Sequence, residues 1–134
     1  MSPIVVDASV AATWLMSDEQ SEFADATREK VMQSGAMAPT LFWYEVRNML
    51  VINERKRRLT SQQIDEALAA LATLPLRRIL TSDESLVLAL ARRHRPTFYD
   101  AAYLALAIDE GAPLATLDTQ LATAARQEGV ELLT

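Results

Sequence analysis

Asp7, Glu45, Asp100 and Asp118 are the residues of this chain whose types and placement could do chemistry. Asp7 directly follows the apolar run IVV, and Asp118 directly follows PLATL. Asp100 is the one charge in TFYDAAYLALA, residues 97–107, with no basic residue within four positions on either side. Carboxylates brought together repel, and burial raises the cost, so they either hold protons or gather cations. Hard divalent cations with oxygen ligands, Mg²⁺ or Mn²⁺, suit such a set. An ion of that kind can generate a nucleophilic hydroxide and neutralise a phosphoryl transition state.

Bringing these acids together requires particular elements. PIVV (3–6) is short, apolar and rich in β-branched residues, and reads as a buried parallel strand. ASVAATWLM then reads as a short helix. Ser17 and Gln20 have capping-box spacing before a helix to about Ser34, which Gly35 stops. AMA (36–38) is a strand candidate. A helix capped by Thr40 covers about 41–57, and the pair Thr60 and Gln63 opens another through about Thr73. LRRIL (76–80) is a strand, and Thr81 with Glu84 caps a helix to about Arg93. Helix 98–110 ends at Gly111, PLATL (113–117) is a strand, DTQLATAARQE is a helix ended by Gly129, and VELL is a last strand. Strands alternating with helices predict an α/β sandwich with a mainly parallel sheet, in a single domain over 1–134.

In open α/β sheets ligands gather outside the carboxyl ends of the strands, and all four acids fall at such places in this reading. Helix N-termini at Asp100 and after Asp118 add partial positive charge there. Ser9 lies two residues after Asp7, Thr116 two before Asp118, and Asn48 three after Glu45, positions suited to support the acids. Each acid also has a plain structural reading. Asp100 could close a capping box on Thr97, Asp118 could N-cap the last helix, Glu45 could be a helix-dipole acid near Arg47, and Asp7 could simply end a strand. Four acids arriving on one rim from distant parts of the chain favour a site.

The totals are those of a globular protein, 50% apolar and 23% charged. With no cysteine, thiol catalysis, disulfides and Cys-based zinc sites are excluded. The N-terminus lacks the basic segment of a signal peptide, and the longest uncharged run, 31–44, is interrupted by Gly35 and Pro39. A cytoplasmic protein without membrane contact is therefore expected. The net charge of −5 argues against a nucleic-acid partner. That argument is softened because all but two of the 13 cationic residues, Lys30 and Lys56, are Arg, which matches phosphate geometry.

IVVDASV, WYEVRNML, YDAAYLALA and PLATLDTQLATAA, in that order, resemble the PIN-domain ribonucleases, and among them the VapC-type toxins of toxin–antitoxin systems. The resemblance runs from about residue 4 to the C-terminus. It implies a three-layer α/β/α sandwich with a mainly parallel five-stranded sheet, and a metal-dependent endoribonuclease. Asp7, Glu45, Asp100 and Asp118 would be the catalytic acids, holding Mg²⁺ or Mn²⁺. Ser9 and Thr116 would be the hydroxyls near the metal, and Asn48 the polar residue beside the Glu. An activated water would cut RNA to a 5′-phosphate and a 3′-hydroxyl. The resemblance also implies a homodimer and a VapB-type antitoxin whose other half binds operator DNA.

Other features fit around that reading. RRHR (92–95) precedes the Asp100 helix, so Arg92, Arg93 and Arg95 could touch RNA, with His94 on the exposed surface. ERKRR (54–58) is a solvated helix end or a second phosphate contact. Trp14, Phe42, Trp43 and Tyr44 would pack in the core or at partner surfaces, and Tyr99 and Tyr103, four apart on one helix face, would pack or line an interface. A catalytically silent PIN-like RNA- or partner-binding module is the alternative, and a replaced acid would have favoured it. A phosphoacceptor receiver domain is excluded because Lys30 and Lys56 both fall in helices. A carboxylate phosphatase is excluded because DAS lacks the second Asp of its nucleophile loop.

Overall fold

The computed structural model of the protein describes residues 3–16, 21–80 and 83–133. In chain order the elements are β1 (Ile4–Val6), α1 (Ala8–Leu15), α2 (Glu22–Ser34), β2 (Ala36–Pro39), α3 (Leu41–Arg55), α4 (Ser61–Ala72), β3 (Leu76–Ile79), α5 (Glu84–His94), α6 (Phe98–Glu110), β4 (Leu114–Ala115) and α7 (Thr119–Gln127). The strands form one parallel sheet in the order β3-β2-β1-β4, flanked by helices. β1 pairs Ile4 with Ala36 on one side and Val5 with Leu114 on the other. The chain leaves β1 toward β2 and returns on the opposite side as β4. The gap beyond the carboxyl ends of β1 and β4 is thus a topological switch point, where such sheets open a crevice.

Among the described residues the sheet has four strands, not the five expected. VELL makes only a single parallel bridge, Leu132 to Leu114. β4 is two residues long because Thr116 leaves the ladder, so its outer neighbour finds little edge to pair with. Leu132 and Leu133 still pack on the core.

α6 is the centre of the packing. Its residues 101–107 are all buried, so the helix is apolar around its whole circumference and is covered by β1, β2, β4, α5 and α7. The alanines at 101, 102, 105 and 107 let those neighbours approach closely. Gly111 ends α6 in the left-handed conformation (φ 59°), where glycine carries no Cβ penalty.

Three of the expected caps differ or fall elsewhere. Thr40 is already helical (φ −52°, ψ −35°), makes no cap bond, and buries its hydroxyl without a partner, because the chain runs from β2 into α3 without an extended residue. Ser17 and Gln20 lie outside the described residues, and α2 is capped by Ser21, whose Oγ accepts from Ala24 N–H at 3.2 Å. Thr81 also lies outside them, and Asp83 caps α5 by accepting from Leu86 N–H at 3.1 Å. The Thr60 and Gln63 box forms as expected, with bonds of 3.1 and 2.8 Å.

These contrasts set two stability expectations for urea unfolding. Leu104→Ala, at a fully buried position of α6, is expected to cost about 2–5 kcal/mol. Thr60→Ala is expected to cost about 1 kcal/mol. A Leu104→Ala cost no larger than that of Thr60→Ala would contradict the central place of α6.

Candidate active site

Asp7 ends β1 and caps α1, with only 4% of its surface exposed. Its backbone N–H donates to Ala115 O at 3.2 Å, which fixes the end of β1 against β4. Its carboxylate collects three donors. Ser9 Oγ donates to Oδ1 at 2.6 Å, Val10 N–H donates to Oδ1 at 3.2 Å, and the Thr116 hydroxyl donates to Oδ2. Each hydroxyl has spent its one proton on Asp7 and accepts from the loop after β4. Leu117 N–H donates to Ser9 Oγ and Asp118 N–H to Thr116 Oγ1, both at 3.0 Å. Ser9 and Thr116 therefore stitch the two sides of the switch point together through the carboxylate of Asp7.

The other acids come from three separate elements. Asp118 N-caps α7, its Oδ1 accepting from Gln120 and Leu121 N–H at 2.9 and 3.1 Å, so the cap reading of that residue holds in the geometry. Glu45 lies half-buried on α3, where its Oε1 accepts a hydrogen bond from the Tyr103 hydroxyl of α6. Arg47 turns away to the Trp43 carbonyl at 3.1 Å. Asp100 donates its backbone N–H to Thr97 Oγ1 at 3.0 Å, so Thr97 caps α6. Cap and rim are not exclusive, because a residue in the first turn of α6 can serve the cap and still act through its charge on the other acids.

The charges of these groups act on one another. Burial raises the Asp7 carboxyl above its ordinary value, the three hydrogen bonds pull it back, and Asp100 pushes it up further. Burial likewise raises Glu45, with the Tyr103 bond opposing and Asp100 and Asp7 adding to the rise. Burial raises Asp100, and Asp118 adds to it, against hydrogen bonding with Thr97. Asp100 is thus the acid that interacts with all three others. Among the described residues none of the four forms an ion pair.

No three acidic or imidazole side chains among the described residues close into a ready-made metal cage. The donor set nevertheless fits a hard divalent cation that keeps several of its own waters and takes only a few carboxylates. It consists of oxygens alone, desolvated, mutually repelling and without a cationic side chain.

Around the rim, Asn48 is exposed on α3 and lines a hollow of about 370 Å³ with Leu41, Tyr44, Glu45 and Tyr99. Arg92 and Arg95 are exposed. Arg93 is drawn instead to Glu128 at 2.6 Å. His94 is not the surface residue expected: its side chain is 6% exposed, with Nδ1 2.8 Å from Gln127 Oε1 and Nε2 2.6 Å from Glu128 Oε2. Tyr99 and Tyr103 also part company. Tyr99 is 63% exposed at the start of α6, whereas Tyr103, one turn on, is 1% exposed where the helix enters the core. Tyr103 is the site neighbour that sequence reasoning missed, since spacing within α6 carries no sign of a partner on α3.

Residues 4–127 match the family model described as PIN domain, and the chain belongs to that family. Within it, the chain is 35% identical over 122 residues to Ribonuclease VapC3 of Pyrobaculum aerophilum, covering 89% of this chain and 92% of that protein. The crystal structure of PAE2754 from Pyrobaculum aerophilum superposes with a TM-score of 0.64 at 21% identity. It covers 92% of this chain and 84% of that one, a likeness in fold. No helix among the described residues is long and apolar enough to cross a membrane.

The raised carboxyls have a consequence for stability. An acid whose value is raised in the folded chain binds its proton more tightly there than in the unfolded chain. The penalty of ionising it is fully present above the folded value and disappears as pH falls toward the ordinary 3.8 of Asp or 4.5 of Glu. Asp100→Asn removes one ionised member and its repulsion. In EDTA at neutral pH its unfolding midpoint is expected to exceed the wild type by about 1–3 °C. The gap should narrow toward pH 4 and in high salt. A midpoint below the wild type at neutral pH would contradict the mutual repulsion.

Proposed function

We propose that this protein is a metal-dependent endoribonuclease, the toxin of a toxin–antitoxin module, built as a single PIN-like unit. What supports this reading is the buried Asp7 carboxylate held by Ser9, Val10 and Thr116 at the switch point, with the charges of Glu45, Asp100 and Asp118 acting around it. The relative's name, Ribonuclease VapC3, and its match over nearly the whole chain support the same activity.

In this reading Asp7, Glu45, Asp100 and Asp118 would hold Mg²⁺ or Mn²⁺, and the ion would supply an activated water and neutralise charge on the scissile phosphate. The chain's own residues orient and exclude. Ser9, Val10 and Thr116 occupy Asp7 so that its carboxylate keeps one orientation at a nearly dry strand end. Asp100 stands at the N-terminus of α6, where the helix dipole favours negative charge. Asn48 offers an amide beside Glu45 for RNA or water. Hydrolysis forms a bond from the water oxygen to phosphorus and breaks the bond to the 3′ oxygen. That oxygen leaves with a proton, giving a 5′-phosphate and a 3′-hydroxyl. Arg92 and Arg95 are free to track the RNA backbone, whereas Arg93 contributes after releasing Glu128.

The same reading includes a cytoplasmic location, a VapB-type antitoxin that links the toxin to operator DNA, and a homodimer. The exposed rings of Tyr44 (71%) and Tyr99 beside Glu45 support a second copy packing at that edge.

Asp7→Asn and Asp100→Asn should each lower RNA cleavage in Mg²⁺ or Mn²⁺ by at least about 100-fold, while circular dichroism shows a folded chain. EDTA should abolish wild-type cleavage. Cleavage that survives EDTA, or a wild type that cuts no total RNA, tRNA or rRNA with either ion, would overturn the nuclease reading.

A further inference from the structure

Tyr103 heads the largest side chains that are fully enclosed, and it still carries a polar group. A buried phenol needs a hydrogen-bond partner. Here the partner is a carboxylate on another helix, Glu45 Oε1, 58 positions away in sequence. Tyr103 lies three residues after Asp100, so one turn of α6 delivers a rim acid and a phenol in the same direction. A phenol carries its proton at neutral pH, and here that O–H donates to the carboxylate.

We propose that Tyr103 is a positioning residue for the acidic rim: its hydroxyl holds Glu45 Oε1 and leaves Oε2 as the oxygen offered to a divalent cation. The inference rests on the metal reading above and adds the means by which Glu45 is aimed. A Glu side chain turns about three bonds, and among the described residues no other hydrogen bond or ion pair restrains the Glu45 carboxylate. Asp7 is also oriented by hydroxyls, but on both oxygens, Ser9 on Oδ1 and Thr116 on Oδ2, whereas Glu45 is held through Oε1 alone. The Tyr103 bond also makes α6 do two things at once, supplying Asp100 directly and fixing Glu45 through Tyr103. Partners of metal ligands commonly set affinity in this way.

The test is Tyr103→Phe, which keeps the packed ring and removes only the hydroxyl. Mn²⁺ binding is measured by calorimetry on the full chain, and RNA cleavage is followed as a function of Mn²⁺ concentration. The expected result is about 10–100-fold weaker Mn²⁺ binding, with half-maximal activity displaced to higher Mn²⁺ by a similar factor. The rate at saturating Mn²⁺ should stay within several-fold of the wild type, and the unfolding midpoint in EDTA within a few degrees. Adding Tyr103→Phe to Glu45→Gln should weaken binding no further. Unchanged Mn²⁺ affinity in a folded Tyr103→Phe protein would overturn the proposal. So would a loss of rate at saturating Mn²⁺ with no change in the Mn²⁺ requirement, which is the signature of a packing defect. A wild type that binds no Mn²⁺ would instead overturn the proposed function and this inference with it, so the two failures are told apart.

Discussion

An ionised carboxylate at the end of a buried strand has lost most of its water, and the surrounding chain must replace that water with donors. Asp7 imposes this requirement. It is met by one backbone N–H from α1 and two hydroxyls, one on each side of the gap between β1 and β4. Both hydroxyls are in turn held by N–H groups of the loop after β4. β4 ends before Thr116, whose hydroxyl donates to Asp7 and accepts from Asp118 N–H, so the strand end, the Asp7 carboxylate and the cap of α7 share one hydrogen-bonded chain.

Such a cluster is unfavourable to folding at neutral pH. Three of its members are raised by burial first, and each of those three is raised further by another acid of the rim. The apolar body of α6 offsets this, since seven consecutive buried residues anchor the helix whose first turn carries Asp100. The polar end and the apolar body of α6 are two parts of one design. The core supplies the stability that lets the rim remain strained, a pattern familiar where activity and stability compete.

Much of this was legible in the residues. IVV followed by Asp, PLATL followed by Asp, and the Gly35 and Gly111 stops are local signals, and they set the order of strands and helices. The Thr60 and Gln63 box was legible for the same reason, because its two bonds join residues three apart. Asp100 appeared as an isolated charge in an apolar run, and that isolation was informative. What was not legible depends on partners far away in the chain. Tyr103 looked like another ring on the face of Tyr99, yet a turn of helix separates an exposed residue from an enclosed one. His94 looked like a surface residue until the end of α7 packed against it, while Arg93 stays on the surface and pairs there with Glu128. VELL has the pattern of a strand, and whether it extends the sheet depends on how much edge β4 leaves. Thr40 has the identity of a cap, but its backbone enters the helix too early to act as one.

The central claim is that the four carboxylates share a divalent cation at the switch point. The most direct measurement is the anomalous scattering of Mn²⁺ in a crystal of the wild-type protein. The expected result is a peak beyond the carboxyl ends of β1 and β4, within coordination distance of Asp7 and at least one of Glu45, Asp100 and Asp118. Ordered Mn²⁺ elsewhere on the molecule, with these carboxylates contacting only protein and water at saturating Mn²⁺, would contradict it.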